Sequence, residues 1–142
     1  MLEVIKPGLE TSIQDWPGRQ GYLKFGIPWS GPMDDWSLRL ANLLVGNAPG
    51  AAALECQFIG PTLKFHEDRV FALTGADMQA KLDGQPVPAW ESIAAKAGQT
   101  LELTFAKVGA RAYFAVAGRF ANAVVFGSRA TFNKGGIGGV GG

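Results

Sequence analysis

One cysteine and one histidine in 142 residues leave little room for metal or redox chemistry. Cys56 has no partner, so no disulfide forms within the chain. Cys56 and His66 together are too few for a His/Cys zinc cluster. A Ser-His-Asp triad would have to use His66, and no G-x-S-x-G elbow accompanies it. His66 lies between Phe65 and Glu67 at an expected strand end and reads as a solvated or locally bonded side chain. Cys56 lies in a strand of mixed residues and reads as a small buried hydrophobe.

Charge is also sparse. Charged residues make up 18% of the chain and the net charge is +1. The basic residues are scattered, which excludes the clustered footprint of a nucleic-acid binder. No apolar run approaches the ~18 residues of a membrane span. The N-terminus lacks a basic region followed by a long apolar run, so it does not read as a signal peptide. With the single cysteine, these absences set a cytoplasmic protein as the expectation. The C-terminal glycines lack a Gly-Lys-Ser/Thr ending and are not a phosphate loop.

Glycine and hydrophobic residues are what the chain has in quantity, at 20 glycines and 47% hydrophobic. That balance suits a turn-rich β-type chain. The length fits one domain over 1–142, which buries about 68–70% of its unfolded surface. Short strands are expected at Leu2–Lys6, Thr11–Gln14, Gly21–Phe25, Ala52–Phe58, Thr62–Phe65 and Arg69–Thr74. More follow at Met78–Leu82, Ser92–Ala95, Thr100–Phe105 and Ala112–Ala117, with Asp83-Gly84 as a hairpin turn. Pro7-Gly8 ends the first strand, and Asp15-Trp16-Pro17-Gly18 forms a turn.

One helix is expected. Ser30-Gly31-Pro32-Met33-Asp34-Asp35 supplies its start, with a polar cap, an early proline and two carboxylates near the positive dipole end. Met33, Trp36, Leu40 and Leu44 share one face, with Ala41 and Val45 beside them; Ser37 and Arg39 fall off it. Gly46-Asn47 stops it. Strands with glycine and proline punctuation indicate a barrel or sandwich rather than alternating β/α units.

The residues with chemical potential lie mostly in the first third. Gln14, Asp15 and Arg19 surround a tight turn, where Arg19 offers a planar fork for a carboxylate or phosphate. An Asp15–Arg19 pair that only locks the turn is the alternative. Backbone N–H groups between Ser30 and Asp34 offer a cradle for an anion or a polarised carbonyl oxygen. Here the alternative is a capped helix whose donors Ser30 or Asp34 satisfies. Asn42 and Asn47 flank the helix end, and Glu55 is a mid-strand carboxylate on either a solvated face or a pocket.

Taken in order, these segments resemble one family. The pattern runs Thr11…Gln14-Asp15…Gly18-Arg19…Gly21, then Gly26-Ile27-Pro28…Ser30-Gly31…Met33-Asp34…Ser37. It continues through Ala41-Asn42…Leu44-Val45-Gly46-Asn47 and Ala52…Leu54-Glu55…Gly60-Pro61. Leu73-Thr74-Gly75-Ala76-Asp77, Gly98-Gln99-Thr100-Leu101, Tyr113…Ala117-Gly118 and Gly127-Ser128-Arg129…Thr131 extend it. The chain is identified as similar to allophanate hydrolase subunit 2, the biotin-dependent carboxyltransferase-like family that includes the C-type component of the bacterial ATP-dependent 5-oxoprolinase.

The resemblance implies a mainly β, cyclophilin-like barrel with one or two short helices. It implies a subunit about twice this length with two β-rich halves, of which this chain is the first. The glycine-rich end, Lys134 to Gly142, then corresponds to the connection between halves. It implies a subunit 1-type partner and a third subunit, a small amide or lactam substrate, and ATP used by the complex rather than by a cofactor held here. Asp15, Arg19, Ser30 and Asp34 become the catalytic set, with Gln14, Gly31, Met33, Asn42 and Glu55 contacting substrate; no metal is expected. A urea-type carboxylase would instead pass a carboxyl group from biotin to an amide nitrogen. A regulatory binding module for a subunit 1-type partner is the third reading. Two departures stand out: Gly118-Arg119-Phe120-Ala121-Asn122-Ala123 replaces a Gly-Gly-hydrophobic-Asp-Val-Pro stretch, and Ala130 replaces a serine. If that region lines the site, substrate choice changes.

Overall fold

The computed structural model describes residues 1–140; Gly141 and Gly142, the last of the glycine-rich end, lie outside the described residues. In chain order the elements are β1 (Leu2–Lys6), β2 (Glu10–Gln14), α1 (Asp35–Leu44), β3 (Ala53–Gln57), β4 (Thr62–Phe65) and β5 (Arg69–Asp77). Then come β6 (Lys81–Leu82), β7 (Gln85–Pro86), β8 (Ser92–Ala95), β9 (Thr100–Glu102) and β10 (Val108–Val116). Asp83 and Gly84 both take left-handed φ, 48° and 80°, as a two-residue hairpin between β6 and β7 requires.

The strands form two antiparallel five-stranded sheets, ordered β1-β4-β9-β6-β7 and β2-β3-β10-β5-β8. Among the described residues no ladder closes one sheet onto the other, so the strands do not complete the expected barrel. The chain changes sheet between β1 and β2 at Gly8 (φ 78°). A Cβ there would lie 2.4 Å from the Ile59 carbonyl oxygen, so only glycine permits the crossing.

Alternation along the strands divides the second sheet into two unlike faces. The inner face carries Ile13, Leu54, Cys56, Phe71, Leu73, Ala112 and Phe114. These pack against Leu63, Phe65, Leu82 and Leu101 of the first sheet. Phe65, Phe71 and Phe114 stack at ring separations of 5.5 Å and 5.7 Å. On the outer face, Ala53, Tyr113 and Ala115 receive α1 through Leu38 and Ala41.

Two local expectations are corrected. The segment expected as a strand at Gly21–Phe25 holds a 3-10 turn over Leu23–Phe25. Left-handed glycines at Gly21 and Gly26 bracket it, and the Gly26 N–H closes back onto the Leu23 carbonyl. The helix also turns a different face inward. Met33 and Trp36 are 71% and 64% exposed, while Ser37, Leu38, Ala41 and Asn42 are buried. Positions 38, 41, 42 and 45 carry the same helical spacing as the expected stripe. The small residues among them let the helix sit close on the sheet, where the Thr74 hydroxyl donates to the Ser37 carbonyl at 2.7 Å.

Cys56 is fully buried, and that burial raises its thiol from the ordinary 9.0 to about 12. This lowers the thiolate fraction at pH 8 by about a thousandfold. Cys56 should therefore resist an aromatic disulfide reagent in native buffer and react at once in urea. Because the folded value is raised, the stabilisation is full below pH 9 and is lost as pH rises towards 12. Equal labelling rates with and without urea would contradict this.

Candidate functional site

The strip Gln14–Arg19 leaves β2 and enters the Asp15–Gly18 turn, which contains a cis Trp16–Pro17 bond. The two charged residues of this strip do not pair with each other. Asp15 accepts from the Ser128 hydroxyl at 2.6 Å and from the Arg129 N–H at 2.7 Å. Arg19 is 0% exposed; its Nε donates to the Val125 carbonyl at 3.1 Å and its Nη2 to the Ala130 carbonyl at 2.7 Å. The fork expected to meet a substrate carboxylate thus holds main-chain oxygens. Its Nη1 is buried and has no hydrogen-bond partner among the described residues. Both side chains fasten the loop of residues 125–131.

The same strip fastens a second loop. The Arg19 N–H donates to the Trp29 carbonyl at 2.6 Å, and the Gly31 N–H donates to Gln14 Oε1 at 2.9 Å. Gly18 makes this approach possible, since a Cβ there would lie 2.6 Å from the Trp29 carbonyl oxygen. Gln14 also donates to the Ser12 hydroxyl and the Thr131 carbonyl, at 2.9 Å and 3.3 Å.

Glu55 and Tyr113 hold the far side of that loop. They are register partners across β3 and β10, so both project from the outer face. The Tyr113 hydroxyl donates to Glu55 Oε2 at 2.7 Å and accepts from the Asp34 N–H at 2.8 Å. Glu55 Oε2 also accepts from the Met33 N–H at 2.8 Å. Burial is the main reason the Tyr113 phenol is raised well above its usual range, and the adjoining Glu55 carboxylate adds to it. Arg111 approaches Glu55 Oε1 at 3.7 Å and donates to Gln57 Oε1 at 2.8 Å.

Asp34 caps α1, accepting from the Ser37 N–H at 3.0 Å and the Ser37 hydroxyl at 2.5 Å. Ser30 is not the cap. It sits in left-handed φ, 54°, beside Gly31 at 89°. Its neighbours at 29, 31, 33 and 34 are all pinned, and its hydroxyl takes no part in the network among the described residues.

Gln14, Gly31, Met33, Asp34 and Glu55 therefore converge, while Asp15 and Arg19 act on the neighbouring loop. Asn42 stands apart at the end of α1, where it donates to the Ala51 carbonyl at 2.7 Å and accepts from Asn47 at 3.1 Å. Sequence reasoning does not find Tyr113, Ser128 and Arg129 as partners of these residues. Only the sheet register and the return of the last loop bring them in. His66 bonds to Glu3, 63 residues away in the chain, at 2.6 Å, and to none of these residues.

The departures fall on and beside the loop that Asp15 and Arg19 hold. Residues 119–123 line an apolar trough of about 840 Å³ with Leu2, Ile13 and Leu54, on the inner-face side of the second sheet. Ala130 is buried, and its backbone supplies both contacts, donating to the Ser128 hydroxyl and accepting from Arg19. The missing hydroxyl leaves that clamp intact.

A family model described as "Carboxyltransferase domain, subdomain A and B" matches residues 25–142. The chain belongs to the carboxyltransferase domain family. It is 44% identical over 140 residues to the 5-oxoprolinase C-type component of Escherichia coli, covering 99% of this chain and 45% of that protein. It is 43% identical over 141 residues to urea amidolyase of Saccharomyces cerevisiae, covering 99% of this chain and 8% of that protein. The crystal structure of the K. lactis urea amidolyase superposes with a TM-score of 0.94 at 43% identity, over 97% of this chain and 8% of that one. The chain thus spans less than half the length of these relatives. Among the described residues of this carboxyltransferase-family chain, no helix is long and apolar enough to cross a membrane.

Replacing Arg19 removes a buried cation and strands two carbonyls. Arg19→Met should destabilise the chain by about 2–4 kcal/mol. Urea unfolding measures this; a loss within about 0.5 kcal/mol would mean the clamp is dispensable.

Proposed function

We propose that this chain is the carboxyltransferase-type domain of a multi-subunit enzyme that opens a small lactam, 5-oxoproline, with ATP consumed by the assembly. The observation that carries this reading is 44% identity along 99% of the chain to a protein named as a 5-oxoprolinase component. The partners would be a subunit 1-type protein and a third subunit. No cofactor is assigned to this chain.

Opening an unstrained lactam requires a polarised carbonyl and a placed nucleophile. Ser30 is the group best presented for this. Its strained backbone is held at Trp29 and at Gly31, while its hydroxyl takes no part in the surrounding bonds among the described residues. Strain of this kind persists only where the surroundings over-determine it. In this reading Ser30 donates to the carbonyl oxygen. Gln14, Glu55, Asp15 and Arg19 position the two loops around it and do not touch the reacting atoms.

A second reading is carboxyl transfer to an amide nitrogen, as in a urea carboxylase. The urea amidolyase likeness, at 43% identity, favours it. The carboxyl donor would arrive on biotin held by another module, and the same presented turn would hold the acceptor amide.

Co-expression with the two partner proteins, the subunit 1-type and the third, tests both. The expected result is 5-oxoproline-dependent ATP hydrolysis that Ser30→Ala lowers by about a hundredfold in kcat. Carboxylation of urea in the presence of a biotin carrier, with no turnover of 5-oxoproline, would select the second reading. Unchanged kcat in Ser30→Ala would remove Ser30 from the chemistry.

A further inference from the structure

We propose that Tyr113, with its register partner Glu55, is a positioning residue that sets the conformation of the Ser30–Asp34 turn. The inference rests on the reading that this turn meets the substrate.

The geometry is specific. Tyr113 is 0% exposed, and its ring packs with Leu38, Ala41, Ala53 and Ala115 beneath α1. Its hydroxyl is engaged twice, accepting from the Asp34 N–H at 2.8 Å and donating to Glu55 Oε2 at 2.7 Å. Glu55 Oε2 also receives the Met33 N–H at 2.8 Å. Two consecutive amides of the turn are therefore held by two side chains that face each other across β3 and β10.

These bonds do more than cap a helix. Asp34 already caps α1 with its own carboxylate through Ser37. The Tyr113–Glu55 pair instead fixes the turn two and three residues beyond Gly31, which Gln14 holds. Ser30, at φ 54°, lies just before both anchors, between Trp29, whose carbonyl the Arg19 N–H holds, and Gly31. A non-glycine residue leaves the left-handed region readily once its neighbours are free, because that conformation costs about 1–2 kcal/mol. Releasing the Asp34 end leaves only the Gln14 bond at Gly31 and the Glu55 bond at Met33 to hold the turn against relaxation of Ser30. Tyr113 thus acts on the presented hydroxyl without touching it.

Isotope-labelled chain provides the test, with Tyr113→Phe, Glu55→Ala and Glu55→Gln. Tyr113→Phe keeps the buried ring, so the fold is retained. Three quantities are read by NMR: the Ser30 backbone coupling constant, amide exchange at Met33 and Asp34, and the affinity for 5-oxoproline or urea. Tyr113→Phe should move the Ser30 coupling off its left-handed value and speed Asp34 exchange roughly tenfold, the loss of one hydrogen bond. It should also weaken ligand binding about fivefold or more. Glu55→Ala should do the same at Met33. Glu55→Gln keeps an oxygen that accepts both bonds and should restore all three readouts.

An unchanged Ser30 coupling in Tyr113→Phe overturns the inference. So does an altered coupling with ligand affinity intact. If the wild-type chain binds neither probe, the proposed function loses its support, while coupling and exchange still decide whether Tyr113 sets the turn.

Discussion

Burial of the Arg19 guanidinium is the constraint from which the irregular half of the molecule is built. A cation removed from water needs oxygens, and no carboxylate is salt-bridged to it among the described residues. The oxygens come from Val125 and Ala130, more than a hundred residues later in the chain. The late loop must therefore return to the first turn. Asp15 reinforces this by binding Ser128 and Arg129, and Thr131 closes it with two bonds to the Ile13 carbonyl. Successive contacts from one short strip fix a segment that has almost no regular structure of its own.

That strip also connects the two faces of the second sheet. Ile13 points into the core, while Ser12 and Gln14 point outward with Glu55 and Tyr113. The inner face is a close-packed apolar layer; the outer face sets polar groups such as Gln14 and Glu55 beside an apolar patch of Ala53, Tyr113 and Ala115 that α1 covers. A one-residue slip of β3 would send Glu55 into the core and Leu54 outward. The core and the candidate site thus depend on the same register, and neither could be repacked independently of the other.

Much of this is legible in the chain. Local signals locate β1, β4, β8 and the Asp83-Gly84 hairpin, because alternation and turn chemistry there act within a few residues. Family likeness groups Gln14, Asp15, Arg19, Ser30, Gly31, Met33, Asp34, Asn42 and Glu55, of which the structure joins Gln14, Gly31, Met33, Asp34 and Glu55 around one turn. The helix face is not legible, because positions 33, 36, 40, 44 and positions 38, 41, 42, 45 offer equal periodicity. What decides between them is the close fit of Ser37 and Ala41 onto the sheet, which no local pattern encodes. Tyr113 belongs to the family pattern, but its partnership with Glu55 is not legible for a similar reason: it exists only once β10 pairs with β3.

Asp15 and Arg19 have bonding partners in the fold that residue type alone does not reveal. A carboxylate and a guanidinium four apart read either as a pair or as a ligand fork. The structure gives Arg19 two main-chain carbonyls, and Asp15 one main-chain N–H and the Ser128 hydroxyl. The physical reason is that backbone donors and acceptors in an irregular loop must be satisfied once the loop is buried. A charged side chain does this more strongly than a neutral one. Fixing the 125–131 loop and the Trp29–Gly31 segment from one strip leaves Ser30 as the strained, uncommitted residue between anchors. The motif residues around Ser30 thus frame a turn whose backbone is fixed by side chains from two strands and one strip.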